Sequence, residues 1–393
     1  MNKDDADSDS AQLSDMSGHR PTWARVDLDA LAANFRAVRR HVSADVSVMA
    51  VVKADAYGHG AVRCAQRLEK EGADWFGVAT VEEGIELREA GIRKPILCLG
   101  GFWAGQAELC LRHNLVPVIY RLDMAETFDR AASAAGVTAD VHVKIDTGMG
   151  RLGARYEAAA DFADALAAFK NIRIDGMMTH FAAADDPDQD CFTGDQTTRF
   201  KDAVGAFQAR GFNPTYRDLS NSAGTCAHDS AWGNMVRPGG VLYGLWRDIL
   251  QPKSNPPALR PVMSLHTRIM LLKIVPAGDV LGYGCTFEAS RETAVATLPI
   301  GYNDGYMRAL SNRAHVLVRG HYAPVVGRIS MDLTLLDVTD VPGVALHDTV
   351  TLFGEDGELS IAVEDLAKTA GTLSYEITCG ISERVPRYYS PED

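Results

Sequence analysis

Short apolar runs separated by amphipathic segments mark the first two-thirds of the chain. Asp27 suits a helix N-cap, and Leu28, Leu31, Phe35, Val38 and Val42 follow it at helical spacing. Apolar runs of strand length then recur at residues 46–53, 75–79, 95–99, 115–119, 140–145, 174–179, 216–220 and 234–237. Helix signals lie between them. Thr80 and Glu83 have capping-box spacing, with Gly91 as the stop, and residues 156–170 and 197–210 carry helical patterns. Eight strand-and-helix units over about 200 residues predict an α/β (β/α)8 TIM-type barrel, with a doubly wound sheet as the alternative that strand count leaves open.

The pattern changes after about residue 250. Pro252, Pro256, Pro257 and Pro261 punctuate a linker. Apolar runs at 265–274, 292–298, 314–318, 333–338 and 349–353 follow, with one helical signal at 362–370, and predict a mainly β C-terminal domain. Residues 1–21 are acidic and almost without large apolar side chains, and predict a disordered tail. The expected divisions are therefore a tail at 1–21, a cofactor-binding barrel at 22–250 and a mainly β domain at 251–393.

Composition narrows the partners. With 39 basic against 52 acidic residues, the net charge of −13 argues against non-specific nucleic-acid binding. No stretch reaches the roughly 20 apolar residues of a membrane helix, and the polar N-terminus has no signal-peptide pattern. Seven scattered cysteines without a CxxC pair predict reduced thiols, hence a cytoplasmic protein, and no zinc site. Asp185, Asp186, Asp188 and Asp190 lack the glycine and terminal glutamate of a calcium loop, so they read as a solvated loop and not a metal site.

The chemistry concentrates at VVKADAYGHG (51–60), where an apolar strand ends in Lys53. In a barrel that end carries catalysis. A desolvated lysine there favours the neutral amine that forms a Schiff base; a structural ion pair is the competing reading.

This segment resembles the cofactor-lysine motif of the alanine racemase family. The likeness continues in order through KIDTGMGRLG (144–153), THFAAAD (179–185), NSAGT (221–225), VRPGGVLYGL (236–245), GYGCTF (282–287), LPIGYNDG (298–305), GRISMD (327–332) and ISERVPR (381–387). It implies a pyridoxal 5′-phosphate enzyme that interconverts L- and D-alanine and supplies D-alanine for peptidoglycan. A serine or broad-specificity racemase of the same family is the alternative. Lys53 would hold the cofactor and act as one acid/base group. Tyr283, donated by the partner subunit of a homodimer, would be the other, assisted by His180 and Arg237, because a tyrosine of pKa near about 10 is a poor base unaided. Arg237 would face the pyridine nitrogen, and an arginine does not lend its proton there. Tyr57, Ser222, Gly239 and Gly240 would take the phosphate. Arg151 would bind the substrate carboxylate and Lys144, carbamylated in some members, would orient it. Met331 and Asp332 would approach from the partner, and Tyr302 would line the entrance. The chain departs from some members at Glu383 and Met178, where they have tyrosines.

A decarboxylase of basic amino acids shares this architecture but would place glutamate where Arg237 stands. Small pyridoxal-binding barrel proteins lack the β domain and the Tyr283 block.

Overall fold

Parallel strands of four or so residues can bury both faces only when helices cover them and the sheet closes. The segment Ala30–Arg260 does this. Its strands are β1 (Ser47–Val51), β2 (Trp75–Val78), β3 (Ile96–Cys98), β4 (Val116–Ile119), β5 (Ala139–Asp146), β6 (Ile172–Met178), β7 (Tyr216–Asp218) and β8 (Met235–Val236). Each pairs in parallel with the next. The ring closes where Met235 and Val236 of β8 meet Ser47 and Val48 of β1. Closure excludes the doubly wound alternative. All eight expected apolar runs form these strands. The structure is a computed structural model and describes residues 19–250 and 257–391.

Met49, Trp75, Leu97, Val118, Met178 and Met235 come from six different strands and share one buried cluster inside the barrel. Burial of each such side chain contributes about 1.5–3 kcal/mol. Outside, Thr80 and Glu83 form the expected capping box on the helix Val81–Glu89, and Gly91 at φ 89° follows its end. The Ala-rich segment is a short 3-10 turn, Tyr156–Ala158, and the helix Ala159–Leu166. The expected helix at 197–210 starts earlier, as Asp190–Gln208, so Asp190 belongs to a helix and not to the acidic loop.

The second unit joins the described residues up to Asp29 to those from Pro261 onward. The strand Thr22–Asp27, placed with the barrel by the 22–250 division, pairs antiparallel with Met263–Arg268 and parallel with Arg387–Ser390. Its alternating burial, Ala24 and Val26 inside, is that of a strand with one face on a core, which a six-residue run before a helix does not reveal locally. The sheet runs from His321–Pro324 through His315–Val318, Thr349–Asp356, Met263–Arg268 and Thr22–Asp27 to Arg387–Ser390, with Leu359–Ile361 off Thr349–Asp356. A three-stranded sheet orders Leu271–Val275, Thr293–Leu298 and Thr334–Asp337. The run expected at 265–274 is thus two strands in two sheets. Val363–Ala370 is the expected helix, and Ser374–Cys379 adds another.

The expected tail lies outside the described residues as far as residue 18, and so do Pro252 and Pro256 of the linker. Within it, Arg20 is tied down: its guanidinium pairs with buried Asp304 at 2.6 and 2.8 Å.

Candidate functional site

Lys53 follows β1 at the C-terminal end of the barrel. Four residues without glycine, Ala54 to Tyr57, then adopt left-handed helical angles, with φ between 51° and 55° and ψ between 36° and 52°. Each costs an L-residue about 1–2 kcal/mol, so other contacts must hold the turn. Glu83 Oε1 accepts from Ala54 N–H at 2.7 Å, and Asp55 Oδ1 accepts from Ala61 N–H at 2.7 Å. Buried His59 lies with its Nδ1 2.9 Å from Ala56 O and 3.0 Å from Tyr57 O. The turn carries Tyr57 to the segment that follows β8, where its ring packs 5.1 Å from Tyr243.

Tyr57, Ser222 and Gly239 converge there. Gly239 N–H donates to Ser222 Oγ at 2.9 Å. A Cβ on Gly239 would stand 2.3 Å from Tyr57 Oη, so the close approach requires glycine. Gly240 follows in the turn Gly240–Tyr243. The hydroxyls of Tyr57 and Ser222 and the backbone N–H groups of Gly239 and Gly240 are donors of the kind that a phosphate needs.

Arg237 follows β8 and is buried. Its Nη2 donates to Thr179 O at 2.8 Å and lies 3.3 Å from His180 Nδ1. Its Nη1 forms a buried ion pair with Asp218 Oδ1. Burial, then the charges of Arg237, Lys144, Arg151 and Lys53, hold His180 well below the usual imidazole range. A neutral His180 accepts at Nδ1 from the guanidinium and carries its proton on Nε2.

Lys144, on β5, is buried, and its pKa falls to about 7 through burial and the charges of Arg237, Arg151 and Lys53, against the pull of Asp146. Asp146 Oδ1 accepts from Gly148 N–H and Gly150 N–H, each at 3.0 Å, which shapes the turn leading to Arg151. Burial raises the pKa of this carboxylate, yet those N–H groups and Arg155 lower it by more.

The barrel thus carries Lys53, Tyr57, Lys144, Arg151, His180, Ser222, Arg237, Gly239 and Gly240 at or beyond the C-terminal ends of β1, β5, β6, β7 and β8. The other candidates stand in the second unit. Tyr283 is 72% exposed in a turn whose flanking glycines, Gly282 and Gly284, lie against Arg328. Tyr302 N–H donates to Ser330 O and Asn303 N–H to Met331 O, at 3.0 and 3.1 Å. Tyr302, Met331 and Asp332 are therefore neighbours, and Asp332 accepts from Arg384 at 2.9 Å. Glu383 is exposed beside that arginine.

Two family models divide the chain in the same way as these two sets. Residues 26–246 match the alanine racemase N-terminal domain, and residues 262–389 match the alanine racemase C-terminal domain. The chain belongs to the alanine racemase family. It is 46% identical to an alanine racemase of Geobacter sulfurreducens over 374 residues, 94% of this chain and 97% of that one. It is 44% identical to one of Halothermothrix orenii over 372 residues, 94% and 97% of the two chains. Among solved structures, an alanine racemase of Clostridium difficile 630 superposes with a TM-score of 0.88 at 35% identity, covering 95% of this chain and 97% of that one. The Bartonella henselae enzyme, solved with covalently bound pyridoxal phosphate, gives 0.84 at 27%, covering 94% and 99%.

In this chain Met178 is buried in the barrel cluster with Trp75 and Met235, so a tyrosine at that position would need a different core. Three groups escape any local pattern. Asp218 and His142 become partners of the site only because β5, β6, β7 and β8 lie side by side in the sheet. Glu83 is legible as a capping residue, but nothing in the sequence says that it also reaches Ala54, 29 residues earlier.

Proposed function

We propose that this chain is an alanine racemase that interconverts L- and D-alanine with pyridoxal 5′-phosphate and so supplies D-alanine for peptidoglycan. One observation carries the reading: Arg237, paired with His180, stands two residues from a glycine pressed against the hydroxyl of Tyr57, in the same barrel end as Lys53. Tyr57, Ser222, Gly239 and Gly240 would take the phosphate, and Lys53 would hold the cofactor covalently. The residues present fit the group, because a Cβ on Gly239 would fill the space beside Tyr57. When bound, the cofactor supplies an electron-withdrawing ring that acidifies the α C–H of the amino acid. Arg237 would hydrogen-bond the pyridine nitrogen without lending its proton. Arg151 would orient the substrate carboxylate, and a carbamylated Lys144 would supply the anion that steadies Arg151.

Racemisation requires proton removal from one face and return on the other. Lys53 would serve one face. Tyr283 would serve the other from a second copy of the chain, with Tyr302 at the entrance and Met331 and Asp332 near the substrate carboxylate. The exposure of Tyr283, of Met331 at 52% and of Tyr302 at 41% supports a homodimer that covers them. No described helix is long and apolar enough to cross a membrane. All seven cysteines are free thiols, which supports a reducing, cytoplasmic location.

The test is a chiral-product assay with purified protein, cofactor and small L-amino acids. L-Alanine should give D-alanine until the two are equal. Failure with alanine and turnover with serine alone would overturn the substrate assignment.

A further inference from the structure

Two titratable side chains beside Arg237 have no role in the proposed reaction. Asp218 ends β7 and His142 lies on β5, and both are fully buried. Asp218 Oδ1 is ion-paired with Arg237 Nη1, and its Oδ2 stands 4.0 Å from His142 Nδ1. The imidazole fits because position 176 on β6 is glycine: a Cβ there would lie 2.4 Å from His142 Cε1. The rings of Trp75 and Tyr216 flank it at 5.3 and 6.0 Å. Burial and the Arg237 charge push His142 down to about 3, so it is neutral at physiological pH.

Arg237 is otherwise surrounded by basic groups. His142 and Lys144 face it from β5 and His180 from the end of β6, with Arg151 and Lys53 acting on Lys144 and His180. Asp146 acts on Lys144 from the same strand, β5. Burial alone pushes Arg237 down to about 9. A carboxylate in contact opposes that drift, because an opposite charge favours the protonated guanidinium. A buried ion pair is a poor stabiliser of a core, which an apolar pair of equal volume fills as well. Orientation is what this pair supplies. Arg237 Nη2 is committed to Thr179 O, Leu219 O and His180 Nδ1, and Nη1 to Asp218, so the guanidinium plane has no freedom left to turn.

We propose that Asp218 is a positioning residue for Arg237, holding its guanidinium charged and fixed in plane so that it donates to the cofactor's pyridine nitrogen without losing a proton. This rests on the reading that Arg237 faces that nitrogen.

Asp218→Asn keeps the shape and removes the charge, and Asp218→Glu keeps the charge. In the holoenzyme, Asp218→Asn should move the alkaline limb of kcat/KM down by about one pH unit or more. It should lower kcat by about tenfold or more while KM for alanine stays within about twofold. The visible band of the bound cofactor should then titrate with pH where that of the wild type is flat. Asp218→Glu should return both limb and band toward wild type. A folded Asp218→Asn protein with wild-type limb and band overturns the proposal. Should that variant not fold, nitrogen-15 NMR of arginine-labelled wild-type holoenzyme decides: Arg237 side-chain signals persisting to alkaline pH support a locked, charged guanidinium, and their loss to exchange or free rotation overturns it. Arg237→Gln is the control. If it changes the band while Asp218→Asn does not, only the role of Asp218 fails. If Arg237→Gln leaves band and kcat unchanged, the reading of Arg237 fails and takes this proposal with it.

Discussion

Glu83 Oε1 accepts a hydrogen bond at 2.7 Å from the backbone N–H of Ala54, the residue after Lys53. The other oxygen of the same carboxylate takes the N–H groups of Ala79 and Thr80, at 2.6 and 3.3 Å, at the start of the helix Val81–Glu89. One side chain therefore caps a helix and anchors the left-handed turn that follows Lys53. Glu83→Ala should cost about 1 kcal/mol through the lost cap. It should also lower kcat by about tenfold or more, because small misplacements of a reacting group are expensive. Thr80→Ala breaks the same capping box without touching Ala54. Urea unfolding and turnover of the two variants separate the effects: stability should fall in both, and kcat in Glu83→Ala alone.

Lys53→Ala should reduce racemisation by at least about 10³-fold, the size of a lost acid/base group. Any cofactor it binds should be removable by dialysis, whereas the wild type should retain it and keep the label after borohydride reduction. Near wild-type turnover would falsify the assignment of Lys53.

Arg237→Glu places a second carboxylate against buried Asp218. Loss of one partner of a buried pair costs about 3–5 kcal/mol, and like charges add to it. The variant should therefore unfold well below Arg237→Gln in a thermal melt. Asp218→Asn combined with Arg237→Glu should recover part of that loss. In the recovered protein the glutamate favours a protonated pyridine nitrogen, so racemisation should slow and side transamination, read as pyruvate, should rise. An unchanged ratio of pyruvate to D-alanine would mean that residue 237 does not face the ring.

Lys144 has a folded-state pKa of about 7 against an ordinary 10.5. Between those values the unfolded chain binds the extra proton, so this group makes stability rise with pH across that window and costs most below about 7. Urea midpoints of wild type and Lys144→Met, compared from pH 7 to 10, should diverge with that sign. The neutral amine is also the form that adds carbon dioxide. A carbamate carbon signal from labelled bicarbonate should grow as pH rises through about 7 and be absent in Lys144→Met.

If Lys53 and Tyr283 meet only between two copies of the chain, homodimers of Lys53→Ala and of Tyr283→Phe should both be nearly inactive. Random re-pairing of an equal mixture makes about half the dimers mixed, each with one intact site of two, so activity should recover to roughly 25% of wild type. Tagging one variant verifies the exchange. Verified mixed dimers without activity would show that both residues act within one chain or that Tyr283 is not the second base.

Apolar runs and helix stops alone marked the eight strands of the barrel, because burial on both faces of a parallel strand writes itself into consecutive residues. Local spacing likewise exposed the Thr80–Glu83 cap, and ordered motifs singled out Lys53, Arg151, Ser222 and Arg237. Closure was beyond that reach. The pairing of Thr22–Asp27 with Met263–Arg268 joins residues some 240 positions apart, and one apolar face on a short run fits several partners equally. The left-handed angles of Ala54 to Tyr57 run against the preferences of those residues, so only the carboxylates and the imidazole folded around them select the turn. Asp218 is an unremarkable strand-end residue in the sequence. Its meaning comes from the adjacent strand β8, which delivers Arg237 into contact with it in the buried interior of the barrel.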